Sequence, residues 1–344
     1  MAMFSLPPSK MKNELIEIIQ AQLVPFLQSS PGFGKSSLYA QIAKSFKLLP
    51  IDLRLSQCTP EDLMGLPMRR DGKAIFAPFA MFPLEGDAIP EGYNGWLLIL
   101  DEFNSASKAV EAAAYKVALD RMVGQEKLHD ACFVVAAGNL ATDRAIVNQM
   151  STAMQSRVIH LELEISHKDF MEHALQNDFD HRVLAFLEFQ PAKLCTFKPD
   201  HSDKTFACPR TWEFASRLIK DKSSDRVSLP TLAGTLSEGV AVEFNAFLQE
   251  YGDLPSFDSI VTSPESSALP PKASTRYAVV GLLLSKFNKK NFESVVKYMK
   301  RMPTEFQVIF FRGVVQRMPS MRKEAIYRDN LAHLTEFLHG TEAA

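Results

Sequence analysis

Between Gln28 and Lys44 the chain reads QSSPGFGKSSLYAQIAK, and this stretch constrains the fold more than any other. A short apolar run, LVPFL (23–27), leads into it, and Leu38, Ile42 and Phe46 fall on one helical stripe after the glycines. The order is strand, glycine-rich turn, helix. Such a turn sets a row of backbone N–H groups and a helix N-terminus around one point, which suits phosphate. Gly34-Lys35-Ser36 ends the pattern G-x-x-x-x-G-K-[ST], while the first glycine position holds Ser29. That position is at the strand exit, away from the tightest phosphate contacts, and a small residue is tolerable there. Gly32 and Gly34 permit close backbone approach, Lys35 can reach the β- and γ-phosphates, and the Ser36 hydroxyl can bind Mg2+. Ser30, Pro31, Phe33 and Ser37 complete the loop expected to line an ATP molecule.

A strand feeding such a loop needs partners, and the chain supplies them. IDLRLS (51–56) alternates apolar and polar residues. WLLIL (96–100), ACFVVAAG (131–138) and RVIHLEL (157–163) suit strands in a parallel sheet, the first two buried on both faces. Helical patterns separate them: residues 9–22, TPEDLMG (59–65) with Thr59 as N-cap, and ASKAVEAAAYKVALD (106–120). Alternating strands and helices predict an α/β fold with a parallel sheet flanked by helices. Asp71-Gly72, inside MRRDGKAIFAPF, marks a hairpin.

After residue 166 the strand signal fades and helical patterns dominate. Residues 252–277 hold Pro255, Pro264, Pro270 and Pro271 among serines, which predicts a linker. Residues 278–339 are helical again, broken at Pro303 and Pro319. The expected organisation begins with an α/β core over 1–165 that carries a hairpin insert near 66–80. Next come an α-helical lid over 166–251, the 252–277 linker and an α-helical C-terminal region over 278–344.

The chain has 344 residues, 46% hydrophobic and 23% charged, with a net charge of -2. That balance speaks against a broad basic footprint for duplex nucleic acid. No apolar run approaches the ~20 residues of a membrane span. The start, MAMFSLPPSK, has no secretory pattern, so a cytoplasmic location is expected. Cys58, Cys132, Cys195 and Cys208 have no metal-ligand spacing and read as free thiols. His167, His173 and His181 are expected on a solvated helical surface.

Nucleotide hydrolysis also needs carboxylates. LLILDEFN places Asp101 and Glu102 directly after an apolar strand. Asp101 can hold Mg2+ through water, and Glu102 can polarise an attacking water. The next strand ends in Asn139, and a polar residue at that end of a parallel strand faces the ligand crevice. Asn139 can position the lytic water.

The succession SSPGFGKSS, LLILDEFN, AAGN, TAMQSRVIHLEL and CPRTWEF resembles an AAA+ ATPase. CTPEDLMGLPMRRDGKAIFAPFAMFP, followed by DEFNSASKAVEAAAYKVALDRMVG, is similar to the MoxR branch and its dynein-related relatives. The resemblance covers about residues 10–250. It implies that Arg157 is an arginine finger reaching a nucleotide in a neighbouring subunit, with Arg144 as the fallback, and that Arg210 is the sensor 2 arginine of the lid. It implies a homo-oligomeric ring, usually of six subunits. The implied work is chaperone-like remodelling or assembly of a protein client, with a separate von Willebrand factor A domain protein among the possible partners. The hairpin residues Arg69, Arg70, Asp71 and Lys73 form a candidate contact surface. RMVGQEKLHDACF leaves only a short second hairpin, which departs from the family pattern. A nucleic-acid motor and a nucleotide-gated scaffold with little turnover are the alternatives.

Overall fold

The apolar runs become the interior strands of one sheet. The computed structural model describes residues 4–143, 148, 150–250, 254–331 and 334. The chain divides into two compact units, Met1–Ser166 with Lys198–Asp200, and His167–Phe197 with His201–Ala344.

The first unit is built on β1 (Ser5–Leu6), β2 (Pro25–Ser29), β3 (Leu48–Arg54), β6 (Gly95–Asp101), β9 (Cys132–Asn139) and β10 (Ile159–Leu163). Their order across the sheet is β1-β10-β2-β9-β6-β3, and every pairing is parallel. The two-residue β1 is an edge strand that the sequence patterns do not reveal, being too short to show an alternation. From β2 the chain crosses to β3, returns through β6 and β9, and then passes over β2 to β10. The strand order therefore reverses beside β2, which opens a crevice at the carboxyl ends of β2 and β9.

Both sheet faces are covered, which explains the unbroken apolar strands. Leu98 and Leu100 of β6 and Val134 and Ala136 of β9 face one core with α4 (Lys108–Tyr115). Leu97, Ile99, Val135 and Ala137 face the other, against α1 (Pro8–Gln20) and α2 (Lys35–Phe46). The first helix buries Met11, Leu15 and Ile19. Beyond Tyr115 the expected 106–120 helix widens into a π-helical turn over Lys116–Asp120. The one-turn α5 (Thr152–Gln155), capped by the Ser151 hydroxyl, precedes β10.

The expected hairpin is present as β4 (Leu66–Arg70) and β5 (Lys73–Ala77). Asp71 and Gly72 both take positive φ, 52° and 76°, the conformation a two-residue turn needs between twisted strands. Leu66, Met68 and Phe76 are exposed on it. The shorter second hairpin pairs β7 (Met122–Val123) with β8 (Glu126–Lys127). Helix α3 (Pro60–Met64) precedes the first hairpin, and its Asp62 carboxylate accepts from the Thr59 amide at 2.7 Å and hydroxyl at 3.0 Å.

The second unit is helical: α6 (His167–Gln176), α7 (His181–Phe189), α8 (Pro209–Ile219), α9 (Leu229–Leu236) and α10 (Glu238–Gln249) come first. Trp212 of α8 packs on Phe186 and Phe244, and its indole N–H donates to the Lys193 carbonyl at 2.9 Å. The 252–277 stretch differs from the linker expected of it. It holds α11 (Phe257–Thr262), capped by the Ser256 hydroxyl, and it buries Ile260 completely. The serines there are helix caps as well as loop residues. Helices α12 (Ala273–Lys286), α13 (Phe292–Met299) and α14 (Thr304–Arg317) complete that core, followed by α15 (Ala325–Leu331).

The three helical histidines also depart from a solvated surface. His167 is half-buried and its Nε2 is 2.9 Å from the Leu187 carbonyl. Burial pushes His173 down from its ordinary value, with Glu213 opposing. Burial likewise brings His181 down to about 4, opposed by Asp180 and reinforced by Arg182 and Lys286. Helix–helix packing, which a local pattern does not encode, accounts for all three. Among the described residues no helix is long and apolar enough to cross a membrane.

Candidate functional site

The turn after β2 is a left-handed one. Gly32 and Gly34 have φ of 80° and 95°. A Cβ on Gly34 would meet nothing, so the backbone angle, not crowding, is what requires glycine there. Gly34 stands at the N-cap of α2, and its carbonyl accepts from Leu38 N–H at 2.9 Å. Ser36 and Ser37 are exposed on the first helical turn, and Phe33 packs beneath against the α1–α2 core.

Lys35 is 9% exposed, unusual for a lysine, and its ammonium is held by acceptors. Nζ donates to the Ser29 carbonyl at 2.9 Å, to Ser29 Oγ at 3.0 Å and to Asn139 Oδ1 at 3.3 Å. Ser29 is fully buried, and its hydroxyl donates to the Ser30 carbonyl at 3.0 Å. The residue that breaks the glycine pattern therefore orients the lysine.

On the adjoining edge, β6 delivers two carboxylates. Asp101 Oδ1 accepts from the Glu102 amide at 2.8 Å. Glu102 has φ of 54°, a left-handed conformation costing about 1 kcal/mol for a non-glycine residue. That turn redirects the chain, and the Ser56 hydroxyl donates to Glu102 Oε2. Asp52 of β3 is pushed above the usual carboxylate range by burial and by the charges of Asp101 and Glu102, with Arg54 opposing. Tyr39 is pushed up by burial and by Asp101, and its hydroxyl donates to the Ala136 carbonyl at 2.8 Å. The edge is a concentrated negative field that favours a cation.

Asn139 is placed by Asn104. The Asn104 side-chain amide donates to the Asn139 carbonyl at 2.7 Å, and its Oδ1 accepts from the Asn139 amide at 3.2 Å. Gly138 makes room for this clamp: a Cβ there would lie 2.4 Å from Asn104 Oδ1 and 2.8 Å from the Phe26 ring. The Asn104 carbonyl in turn accepts from Asn148 N–H at 2.7 Å. Just beyond β9, Asp143 is pushed up by burial while Ser30 and Lys35 draw it down, and its Oδ2 has no hydrogen-bond partner among the described residues.

Lys35, Glu102 and Asn139 thus stand at the carboxyl ends of β2, β6 and β9, three strands that lie side by side around β9. Arg157 lies in the turn before β10, exposed, with its guanidinium 5.0 Å from the Tyr115 ring centroid. Arg144 lies outside the described residues. Arg210 belongs to the second unit, exposed in the first turn of α8.

Sequence reasoning passed over Ser56, Asn104, Asp143 and Asp52. Asn104 had a readable signal, a polar residue within the turn of DEFN that comes after a buried strand. Ser56 is joined to Glu102 only through the β3–β6 pairing, so no local pattern marks it.

The donors fit a nucleotide with Mg2+: a left-handed glycine turn, a buried ammonium beside it, and a carboxylate pair on a nearby strand end. Among the described residues no three His, Cys, Asp or Glu side chains converge on a metal position. Mg2+ in phosphate sites takes one or two carboxylates, waters and phosphate oxygens, so a ready protein cage is not required.

No family model matches the sequence, and no curated protein matches it. Among solved structures, the chain is similar to a RuvB variant from Thermotoga maritima at 17% identity, over 76% of this chain and 77% of that one, with a TM-score of 0.39. It is similar to NtrX from Brucella abortus at 10% identity, over 99% of this chain and 69% of that one, with a TM-score of 0.40. Likenesses of this degree say nothing about activity.

Proposed function

We propose that this chain is an ATP-binding and ATP-hydrolysing AAA+ ATPase of MoxR-like type, working as a homo-oligomeric ring that remodels protein complexes. The observation that carries the reading is the meeting of Lys35, the Asp101–Glu102 pair and Asn139 at the carboxyl edge of neighbouring parallel strands, beside the strand-order reversal. A glycine turn alone is a common structural device; a glycine turn with a buried lysine, a carboxylate pair and a clamped asparagine is the set that phosphoryl transfer to water needs.

In this reading the backbone N–H groups of residues 30–37 and Lys35 bind the phosphates. Ser36 and Asp101 would hold Mg2+, which would supply positive charge against the phosphates. Glu102 takes a proton from the attacking water, and Asn139 fixes that water in line. Ser56 sets the Glu102 carboxylate and Asn104 sets Asn139. Arg157 belongs to the neighbouring subunit's site, where a guanidinium stabilises charge in the transition state. Arg210 acts within its own subunit, coupling the helical region to the nucleotide. The hairpin of residues 66–77 meets the protein client.

The test is the ATP hydrolysis rate per subunit over a wide range of protein concentration, with sizing in parallel. A rate rising steeply as larger species form supports sites shared between subunits. A rate that stays constant while sizing reports only monomer removes the ring, and no hydrolysis at any concentration removes the ATPase reading.

A further inference from the structure

The second unit contains a cavity of about 920 Å3 that the nucleotide site does not use. It lies among α6, α7, α12, α14 and α15. Its volume is near the upper end of the range for small-ligand pockets, about 300–1,000 Å3.

The lining has two characters. Met171, Leu175, Leu184, Val280, Leu284 and Ile309 give it an apolar floor. Around them stand five cations, Lys168, Arg312, Arg317, Arg322 and Arg328, against two carboxylates, Asp178 and Glu188. Both carboxylates are already answered within the unit. Asp178 Oδ2 accepts from Lys220 Nζ at 2.6 Å and also faces Arg317, and Glu188 lies in the fields of His167 and Arg312, which leaves Lys168, Arg322 and Arg328 as the surplus. Arg317 rests its guanidinium 5.5 Å from the Phe287 ring centroid. Arg322 and Arg328 are exposed and form no ion pair among the described residues. The cavity therefore carries a surplus of positive charge over an apolar floor.

The cations are spread over α6, α14, the turn at Pro319–Lys323 and α15. That distribution matches several separated negative charges on an elongated ligand better than one phosphate. A groove between helices with an apolar floor and a charged rim is a recurrent receptor for an amphipathic peptide. We infer that this cavity docks an acidic amphipathic peptide segment of a protein partner, its apolar side chains on the helical floor and its carboxylates on Arg322, Arg328 and their neighbours. This gives the chain a second recognition surface, independent of the nucleotide reading.

The experiment uses the full chain and a fluorescein-labelled helical peptide of about fourteen residues, Leu at three–four spacing and Glu elsewhere. Saturable binding by anisotropy is expected. It should weaken about tenfold or more in Arg322→Glu/Arg328→Glu, and similarly when Gln replaces Glu or Ser replaces Leu in the peptide. ATP hydrolysis and the unfolding midpoint of that variant should match the parent, which separates a lost docking site from a lost fold. Peptide binding indifferent to the charge reversal, or no binding at all, overturns the inference. Binding of dodecanoate but not of peptide overturns it in favour of a small amphipathic anion. Parent self-association abolished by the charge reversal, without peptide binding, overturns it in favour of a second copy of the chain.

Discussion

Lys35 Nζ lies 3.0 Å from Ser29 Oγ, so the serine at the strand exit is an acceptor for the lysine of the glycine-rich turn that follows it. With the Ser29 carbonyl and Asn139 Oδ1, it fixes an ammonium that is almost wholly buried. Hydrogen bonds to charged groups contribute about 1.5–3 kcal/mol each. Lys35→Ala should weaken ATP binding about a hundredfold, measured by titration calorimetry. Ser29→Ala keeps the charge and loses one of three acceptors, so its expected effect is a fall in turnover of about tenfold, at the lower end of that range because the Ser29 carbonyl and Asn139 still hold the ammonium. A Ser29→Ala protein as weak in binding as Lys35→Ala would contradict this division of roles.

Glu102→Gln should bind ATP with near-parent affinity and hydrolyse it at least about a hundredfold more slowly, because the amide no longer accepts the water's proton. Ser56→Ala should lower turnover by about tenfold or less, since it frees a carboxylate that remains basic. Single-turnover hydrolysis checks both. Near-normal hydrolysis by Glu102→Gln ends its assignment as the base.

Asn104 supports Asn139 by two hydrogen bonds, and its removal leaves a backbone N–H and C=O without their partner. Asn104→Ala should cost about 1–3 kcal/mol in stability and lower kcat more than nucleotide affinity. Gly138→Ala should be destabilising as well, because its Cβ would meet the Asn104 Oδ1 and the Phe26 ring. Denaturant unfolding beside steady-state kinetics separates the two effects.

Arg157→Ala should leave ATP binding intact and remove most turnover. Mixing it with Glu102→Gln should restore some activity, because one mixed interface then carries both a base and an arginine. No recovery at any mixing ratio would count against a role for Arg157 across subunits.

His181 gives the second unit a pH dependence of known sign. Burial is the main cause of its fall from 6.5 to about 4. Between those values the unfolded chain takes up a proton that the folded one refuses, so this stability is present above about pH 6.5 and lost as pH falls towards 4. The full effect is on the order of 3 kcal/mol. Glu188, raised chiefly by burial, titrates in the opposite sense. The measurement is therefore the difference between parent and His181→Asn in unfolding midpoint from pH 7 to 5. The parent should lose more than the variant; parallel losses would remove His181 as the cause.

Local chemistry made much of the first unit legible. The strands announce themselves because a parallel sheet covered on both faces demands unbroken apolar runs, and β6 and β9 supply them. The Asp71-Gly72 turn is legible because positive φ at two successive residues admits few side chains. The edge strand β1, the helix within 252–277 and the burial of His181 were not, because each depends on neighbours distant in the chain. The same holds within the site, where Lys35, Glu102 and Asn139 could be picked out by motif but Asn104 and Ser56 could not.

By itself the sequence determined the glycine-rich turn between strand and helix, the alternation of strand and helix that makes an α/β core, and the carboxylate pair and asparagine that end two of its strands. These arise from interactions between residues a few positions apart. Only the tertiary structure decided that β2 lies between β9 and β10, that Ser29 and Asn139 share one lysine, and that Asn104, just past β6, clamps Asn139 at the end of the neighbouring β9. Several of those contacts join residues far apart in the chain, and only the closing of the sheet around its two cores brings them within hydrogen-bond distance.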